Sequence, residues 1–492
     1  MKKSVYSNCF FLPLTSAVLC SMMQISDGWF LCAFCFIPLF SALQKSDNPA
    51  KSVVVFFIVY HMVLNAFLLT MYSELGIDKL AAIVLCAVCV ILITIYQSAV
   101  MLFAVIPCLR IENRGLRLFG FAILYIFGQY LLELVPVLKF PWARIELSLA
   151  YCPVFLKPAS LLGSGFAALL ILLFNIFLYQ IILNVMKSNI KKTAISSFCL
   201  SVIYFSVLSF SMISSHNQTA SDYVSVIAIQ GEVEGFDKLS IDSADAVSFY
   251  SDYIDKCKEI HPDLILLPET AIPTAISENI ESKLCENLSK KTSLVYGTIL
   301  KKDDERYNCL KLAREDKYYL KQTLVPFGEY IPFSKHGNSL SSGDNKSIIE
   351  VADVKLACAI CIESIHSSVV FPQIASGGQL ILISTNDSWF KDSYARELHF
   401  RHSILRAVEY ERCVIRSANC GITAIIDYNG NIIEADYSKT ASAVTARVPL
   451  IASKTMYSKV GNVMMLLPAI NVAVYYLRSL FRKVLLCTVR QA

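Results

Sequence analysis

Residues 355–364 read KLACAICIES. Small and apolar residues alternate up to Cys361, the pair Glu363-Ser364 follows, and a helix is expected from about His366. This is the pattern of a buried strand that ends in a polar turn. A thiol at such a strand end, facing a helix N-terminus, is where a thiolate is both reachable and stabilised. The competing reading is a core cysteine, because a buried thiol is usually packed as a small hydrophobe. What the surrounding chain supplies decides between the two.

Working outward, the region from Asp222 alternates short apolar strands with amphipathic helices. YVSVIAIQ (223–230), DLILLPE (263–269), SLVYGTIL (293–300), YNCLKLA (307–313), KYYLK (317–321), QLILIST (379–385), CVIRSA (413–418), ITAIIDY (422–428) and AVTARV (443–448) read as strands. Ala244 to Ile260 reads as a helix with Val247, Tyr250, Ile254 and Cys257 on one face, and a long helix is expected from about Ala395 to Arg412. Near-continuous apolar strands with intervening helices argue for an α/β domain whose sheets are covered on both sides. Because many strands follow one another without long helices, a layered sandwich fits better than a doubly wound sheet. HGNSLSSGDNKS (336–347) reads as a mobile loop.

The rest of the chain has a different character. Its 492 residues are 55% hydrophobic and 17% charged, with a mean hydropathy of +0.53, values that belong to a membrane protein. Apolar runs expected to span a bilayer are Phe10–Met23, Trp29–Leu43, Val53–Thr70, Leu80–Pro107, Leu118–Leu138, Gly165–Met186 and Ala194–Ile213, with an eighth at Val460–Leu480. The expected domains are therefore a membrane domain of about seven spans over 1–214, a soluble domain over 221–450, and a closing span over 458–482 with a basic tail to 492. The first helix is expected to stay uncleaved, although Met1-Lys2-Lys3 before an apolar run resembles a signal peptide. Short loops on one side carry Lys45, Lys51, Arg110, Arg114, Arg117, Lys187, Lys191 and Lys192, and those on the other only Lys79, Lys139, Arg144 and Lys157. The positive-inside bias then puts the soluble domain outside the cytoplasm.

Composition also excludes. The net charge of +5 is modest and no basic patch is interleaved with aromatics, so no nucleic acid is expected. His61 and Glu133 are almost the only ionisable residues in the spans, too few for a proton or ion relay, which leaves a transporter the weakest option. The 17 cysteines do not form a disulfide framework, and no paired CxxC with ligand spacing appears, so neither structural zinc nor any cofactor is expected. His399, His402 and Glu409 share the long helix, but a packed, solvated helix face is the expectation there. In KFPWARIELSLAY (139–151), Trp142 at a span end reads as an interfacial aromatic anchor, with substrate contact as the alternative.

Three chemically competent residues end apolar strands: Glu269 after LILLP, Lys321 after YYL, and Cys361 after LACAI. A carboxylate to take the thiol proton, a thiolate to attack a carbonyl and an ammonium to hold the oxyanion would together make an acyl-transfer site. Spacing alone leaves the bland readings open: Glu269 as a helix-capping carboxylate, Lys321 as a solvated strand end, Cys361 as core. Cys361 is favoured over Cys358 because residues three apart on a strand face opposite sides.

The order ILLPETAIP, YLKQTLVPFGEYIP and ACAICIES resembles the nitrilase (carbon–nitrogen hydrolase) superfamily, and with spans on both sides it is similar to the apolipoprotein N-acyltransferase family. Gln230-Gly231, KFPW, TNDSWF (385–390) and RHSILRAVEYERCVIRSANCGITAI (401–425) support the likeness, which covers essentially the whole chain. The resemblance implies an αββα sandwich; Glu269 as general base, Lys321 as oxyanion stabiliser and Cys361 as nucleophile; Glu329 and Glu363 in support; and Asn386, Asp387 and Trp389 in the site wall. It departs at Ile362, where the family has Tyr, at Gln322-Thr323, where a His is common, and at Glu232, where Asn is usual. What it implies about function is transfer of an acyl chain from a phospholipid, phosphatidylethanolamine by the family, through a Cys361 thioester to the α-amino group of a diacylglyceryl-cysteine on an apolipoprotein. The location implied is a bacterial inner membrane with the catalytic domain on the periplasmic side, and the Phe333–Ser347 loop would serve as a lid. The rivals are a membrane-tethered amidase that passes its acyl group to water and a silent scaffold with the same fold.

Overall fold

The computed structural model describes residues 7–74, 77–135, 139–216, 220–232, 242–274, 276–326, 328–330, 339–344 and 348–491. In the membrane half, prolines and short polar residues set the helix starts. Helices α1 (Leu12–Ile25) and α2 (Ile37–Lys45) each carry a proline in the first turn, where a missing N–H costs nothing. Asn48, Asp78 and Asn113 cap α3 (Pro49–Asn65), α4 (Lys79–Val105) and α5 (Arg114–Leu134) by accepting first-turn N–H groups. Two further helices, α6 (Ser164–Met186) and α7 (Ile190–His216), complete this half.

Among the described residues, five helical stretches are long and apolar enough to cross a bilayer: Pro49–Ser73, Lys79–Arg110, Arg114–Leu134, Ser164–Met186 and Ile190–Ser214. The other three expected spans fall on shorter apolar helical stretches, Cys9–Ile25, Trp29–Lys45 and Val463–Arg478. The lone histidine in the spans, His61, meets Ser98 Oγ at 3.1 Å on the neighbouring helix, and Asn65 donates to Gln97 at 2.8 Å beside it.

The soluble half is a sandwich of two six-stranded sheets. One runs in the order β12 (Ser442–Ile451), β1 (Ala220–Gln230), β2 (Leu264–Leu266), β3 (Ser293–Lys302), β4 (Glu305–Leu312), β5 (Lys317–Leu320). The other runs β11 (Ile432–Asp436), β10 (Thr423–Ile426), β9 (Cys413–Asn419), β8 (Leu380–Asn386), β7 (Val354–Ile360), β6 (Ile349–Val351). β1, β2 and β3 are parallel, as are β7, β8 and β9, while β5 returns to the same sense through antiparallel β4. The ends of β2, β5, β7 and β8 therefore open at one edge, the usual place for a site in sheets of this kind.

Strand alternation divides the core into layers. Val226, Ala228, Leu266, Cys358 and Ile360 point between the sheets. Ile227, Ile229, Ile265 and Leu267 point outward against α8 (Ser243–Cys257) and α9 (Glu278–Leu284). On the far side, Ala357, Ala359, Ile381 and Ile383 meet α10 (Ser367–Ala375) and α11 (Tyr394–Tyr410), in one continuous cluster with Phe36, Phe40, Phe56 and Phe121 of the membrane helices.

That layer corrects one expectation. From Leu398 to Tyr410 every residue of α11 is buried, so the helix has no solvated face, and no metal-holding group of His, Cys, Asp or Glu occurs among the described residues. Arg401 on this helix has partners the linear sequence does not show. Arg401 donates to the carbonyls of Gln24 and Ser26 at 3.2 and 3.3 Å, at the open C-terminal end of α1, and its guanidinium lies 5.3 Å from the Tyr151 ring centre.

Candidate active site

Glu269 leaves the end of β2 just past Pro268. A Cβ on Gly297 of the neighbouring strand would sit 2.5 Å from Pro268 O and Thr270 N and 2.8 Å from Glu269 Cα, so only glycine admits this close approach. Both Glu269 oxygens are engaged. Oε1 accepts Lys321 Nζ at 3.0 Å and Asn308 Nδ2 at 2.7 Å, and Oε2 accepts the Asn386 N–H at 2.9 Å.

Lys321 is 1% exposed at the end of β5. Its Nζ donates to Glu269 and, at 2.9 Å, to Glu329 Oε1, while Glu329 Oε2 accepts the Val325 N–H at 2.8 Å. Burial works against the ammonium, but Glu269 and Glu329 outweigh it and hold Lys321 well above the usual lysine range. Lys321 is therefore a fixed cation with a third N–H left for a ligand.

Cys361 does not continue the strand. β7 stops at Ile360, and Cys361 opens a 3-10 turn (Cys361–Ile365) in the left-handed region, φ +52°. Strand alternation therefore does not explain why Cys361 rather than Cys358 reaches the open edge. Cys358 is buried between the sheets, and a reversal of the backbone, costing about 1 kcal/mol or more, turns Cys361 out. The expected stabilised thiolate is corrected as well. Burial first and the Glu269 charge second push the thiol up to about 12, against the downward pull of Lys321. At neutral pH the sulfur keeps its proton and needs a base to lose it.

Glu363 ties this turn to the lysine turn. Oε2 accepts the Ile360 N–H at 2.8 Å and the Tyr319 hydroxyl at 3.1 Å; Oε1 accepts Gln322 N–H at 2.6 Å and Thr323 N–H at 3.0 Å. Burial raises its carboxyl to about 7, with the backbone donors pulling the other way. Gln322 and Thr323, the departures beside Lys321, thus act through their backbone. Ile362 is partly buried against the core shared with the membrane helices.

The other candidates fall as follows. Asn386 ends β8 and meets Glu269 through its backbone, while its Oδ1 accepts Asn419 Nδ2 at 3.0 Å. Trp389 is half-buried in the adjoining 3-10 turn, Ser388–Phe390. Trp142 is no interfacial anchor: it is 0% exposed, stacked on Phe140 at 5.3 Å, tilted against Phe67 and Phe390, and 6.1 Å from the rings of His399 and His402. The expected lid falls largely outside the described residues. Its middle, 339–344, is pinned beside the site, with Gly343 N–H on Lys321 O at 2.8 Å and Leu340 N–H on Glu329 O at 2.8 Å.

Asn308 and Arg416, which the sequence did not single out, complete the arrangement. Asn308, in mid-strand, donates to Glu269 at 2.7 Å and to Glu329 at 3.0 Å, holding the two carboxylates on either side of Lys321. Below the turn, Arg416 Nη2 donates to Asp387 Oδ2 at 2.6 Å, and Asp387 Oδ1 faces His399 Nδ1 at 2.9 Å. Desolvation disfavours the Asp387 carboxylate, but Arg416 and His399 override it and keep its carboxyl below the usual range. A carboxylate and an ammonium from one sheet and a thiol from the other, gathered at one edge of the sandwich, can do acyl-transfer chemistry.

A family model described as the apolipoprotein N-acyltransferase N-terminal domain matches residues 16–177, and one described as carbon-nitrogen hydrolase matches residues 241–453. The chain is thus similar to apolipoprotein N-acyltransferases over its N-terminal helices and to carbon-nitrogen hydrolases over its sandwich. Its C-terminal half has a nitrilase-like fold. Curated proteins named apolipoprotein N-acyltransferase include one from Shewanella oneidensis, 28% identical over 248 residues, covering 44% of this chain and 48% of that protein. One from Pseudomonas putida is 28% identical over 278 residues (51% and 50%), and one from Pasteurella multocida is 30% identical over 230 residues (41% and 44%). The chain spans about half the length of these relatives. Among solved structures, a Saccharomyces cerevisiae member of branch 10 of the nitrilase superfamily covers 47% of this chain and 91% of its own, at 16% identity and a TM-score of 0.36.

Proposed function

We propose that this protein is an acyltransferase of lipoprotein maturation, moving an acyl chain from a phospholipid to the N-terminal amine of a diacylated apolipoprotein. The observation that carries the reading is a site where Glu269 and Lys321 of one sheet meet Cys361 of the other, whose outer face shares one hydrophobic core with membrane helices. A nucleophile so placed suits a donor that never leaves the bilayer.

In the first half-reaction Glu269 takes the Cys361 proton and the sulfur attacks the ester carbonyl. The free N–H of Lys321 receives the oxyanion, as an ammonium already held by two carboxylates needs little reorganisation. The C–O bond breaks, Glu269 returns the proton to the departing lysophospholipid oxygen, and a thioester remains on Cys361. In the second, the acceptor amine attacks the thioester, Glu269 accepts its proton, and the thiolate leaves and is reprotonated to yield an amide. The donor is phosphatidylethanolamine in this reading, and the site faces the periplasm across a bacterial inner membrane.

Incubating the purified protein with phosphatidylethanolamine and weighing Cys361-containing peptides tests it. The expected result is an acyl adduct that is absent from Cys361→Ser and discharged by a diacylated lipopeptide. Free fatty acid with no adduct would point instead to the hydrolytic rival, and full lipoprotein N-acylation by Cys361→Ser to the scaffold.

A further inference from the structure

Cys361 keeps a left-handed backbone, φ +52°, that a non-glycine residue holds only when its surroundings fix it. Glu363 secures the turn from one side. On the other side, the carbonyl of Cys361 itself faces His399 Nε2 at 3.2 Å and accepts the Ser364 hydroxyl at 2.9 Å. The opposite ring nitrogen, Nδ1, faces Asp387 Oδ1 at 2.9 Å. Asp387 is in turn held by Arg416 and by the Thr385 hydroxyl at 2.9 Å, and a Cβ on Gly421 would come within 2.6 Å of its Oδ2. His399, Ser364, Asp387, Arg416 and Thr385 are all fully buried, and the acyl-transfer steps above use none of them.

We propose that His399 is a positioning residue for the nucleophile: its ring bridges the Asp387 carboxylate at Nδ1 and the Cys361 carbonyl and Ser364 hydroxyl at Nε2, clasping the turn in its reversed conformation. The ring is held on both sides: Nδ1 meets the Asp387 carboxylate at 2.9 Å and Arg416 Nη2 at 3.3 Å, and Nε2 meets the Ser364 hydroxyl at 3.0 Å and the Cys361 carbonyl at 3.2 Å. Arg416 and Asp387 fix the ring, and the ring fixes the carbonyl. Trp142, at 6.1 Å from the His399 ring, closes this clasp on the membrane side. The sulfur is thereby aimed at the edge where Glu269 and Lys321 stand. This inference rests on the reading of Cys361 as nucleophile and is indifferent to the identity of the acyl donor.

The test separates the two ring nitrogens. Glutamine reproduces a donor near Nε2, asparagine one near Nδ1. Alkylation of Cys361 by iodoacetamide at fixed pH is followed by mass spectrometry in the full-length detergent-solubilised protein, with melting temperature recorded alongside. His399→Asn is expected to slow alkylation at least tenfold, while His399→Gln stays within threefold of the parent, both melting somewhat lower. Any other ordering, including an unchanged His399→Asn or equal slowing in both, overturns the clasp and leaves a merely structural histidine. Should His399→Asn fail to fold, His399→Phe replaces it: it keeps a ring of similar size and removes both nitrogens, and a tenfold slowing is expected where an unchanged rate overturns the proposal. Wild-type protein mixed with phosphatidylethanolamine is scored separately for thioester. Its failure there would sink the acyltransferase reading and leave the iodoacetamide result standing.

Discussion

Glu363 Oε1 accepts the backbone N–H of Gln322 at 2.6 Å, so the turn that presents Cys361 and the turn that presents Lys321 are joined through one buried carboxylate. All four hydrogen bonds to Glu363 come from groups on these two segments or from Tyr319 beside them.

This carboxylate predicts a pH-dependent stability with a definite sign. Its folded value, about 7, lies above the ordinary 4.5. Between those values the folded protein holds a proton that the unfolded chain has released, so stability falls as pH rises through that window and levels off above about 7. The slope is at most about 1.4 kcal/mol per pH unit. Melting of the wild type minus that of Glu363→Gln, from pH 4.5 to 8, should show this decline, and a difference that rises with pH would contradict it.

Asn308 predicts a loss of rate without loss of fold. Removing its amide frees Glu269 and Glu329 to shift around Lys321, and Asn308→Ala is expected to cut the rate of Cys361 acylation by about tenfold to a hundredfold. Asn308→Asp should be worse than alanine, since it sets a third carboxylate against the other two. Single-turnover acylation monitored by mass spectrometry compares them.

Some of this site is written plainly in the chain and some is not. Glu269, Lys321 and Cys361 stand out because each is a polar or nucleophilic residue directly behind an apolar strand, and that contrast survives in one dimension. Asn308 has no such contrast: it sits mid-strand between Tyr307 and Cys309 and gains its importance from two carboxylates 39 and 21 residues away. The helix bearing RELHFRHS looks solvated because its charges are counted without their partners, which are carbonyls of the membrane hairpin and Asp387. The sandwich was legible from strand periodicity, whereas the short β6 and the exposed β11 carried too little apolar signal to be read.

Gly297 predicts that one methyl group disables the base. Gly297→Ala must push Pro268 and Thr270 aside, and a shift of about 1 Å at Glu269 should lower acylation about a hundredfold. Alkylation of Cys361 by iodoacetamide at high pH, which needs no base, should be changed far less.

Arg401 predicts the strength of the union between the sandwich and helix α1. Arg401→Ala leaves the carbonyls of Gln24 and Ser26 without that donor and should cost about 2–4 kcal/mol, read as a lower melting temperature in detergent and faster proteolysis near Asp27. Arg401→Lys, which cannot fork to several carbonyls at once, should recover only part of the loss.

The cluster that runs from Phe36 and Phe121 through Trp142 to Ala357 and Ile404 has a practical consequence. Composition divides the chain near residue 220, but this cluster takes in residues from both sides of that division. A fragment trimmed to the sandwich would bare the outer side of α10 and α11 and remove the aromatic floor beneath His399, so its thiol would no longer report on the parent's. Chemistry at Cys361 has to be measured with the lipid-facing helices attached, in detergent or a bilayer disc, because in this fold the solvent boundary of the reaction is set by the bundle.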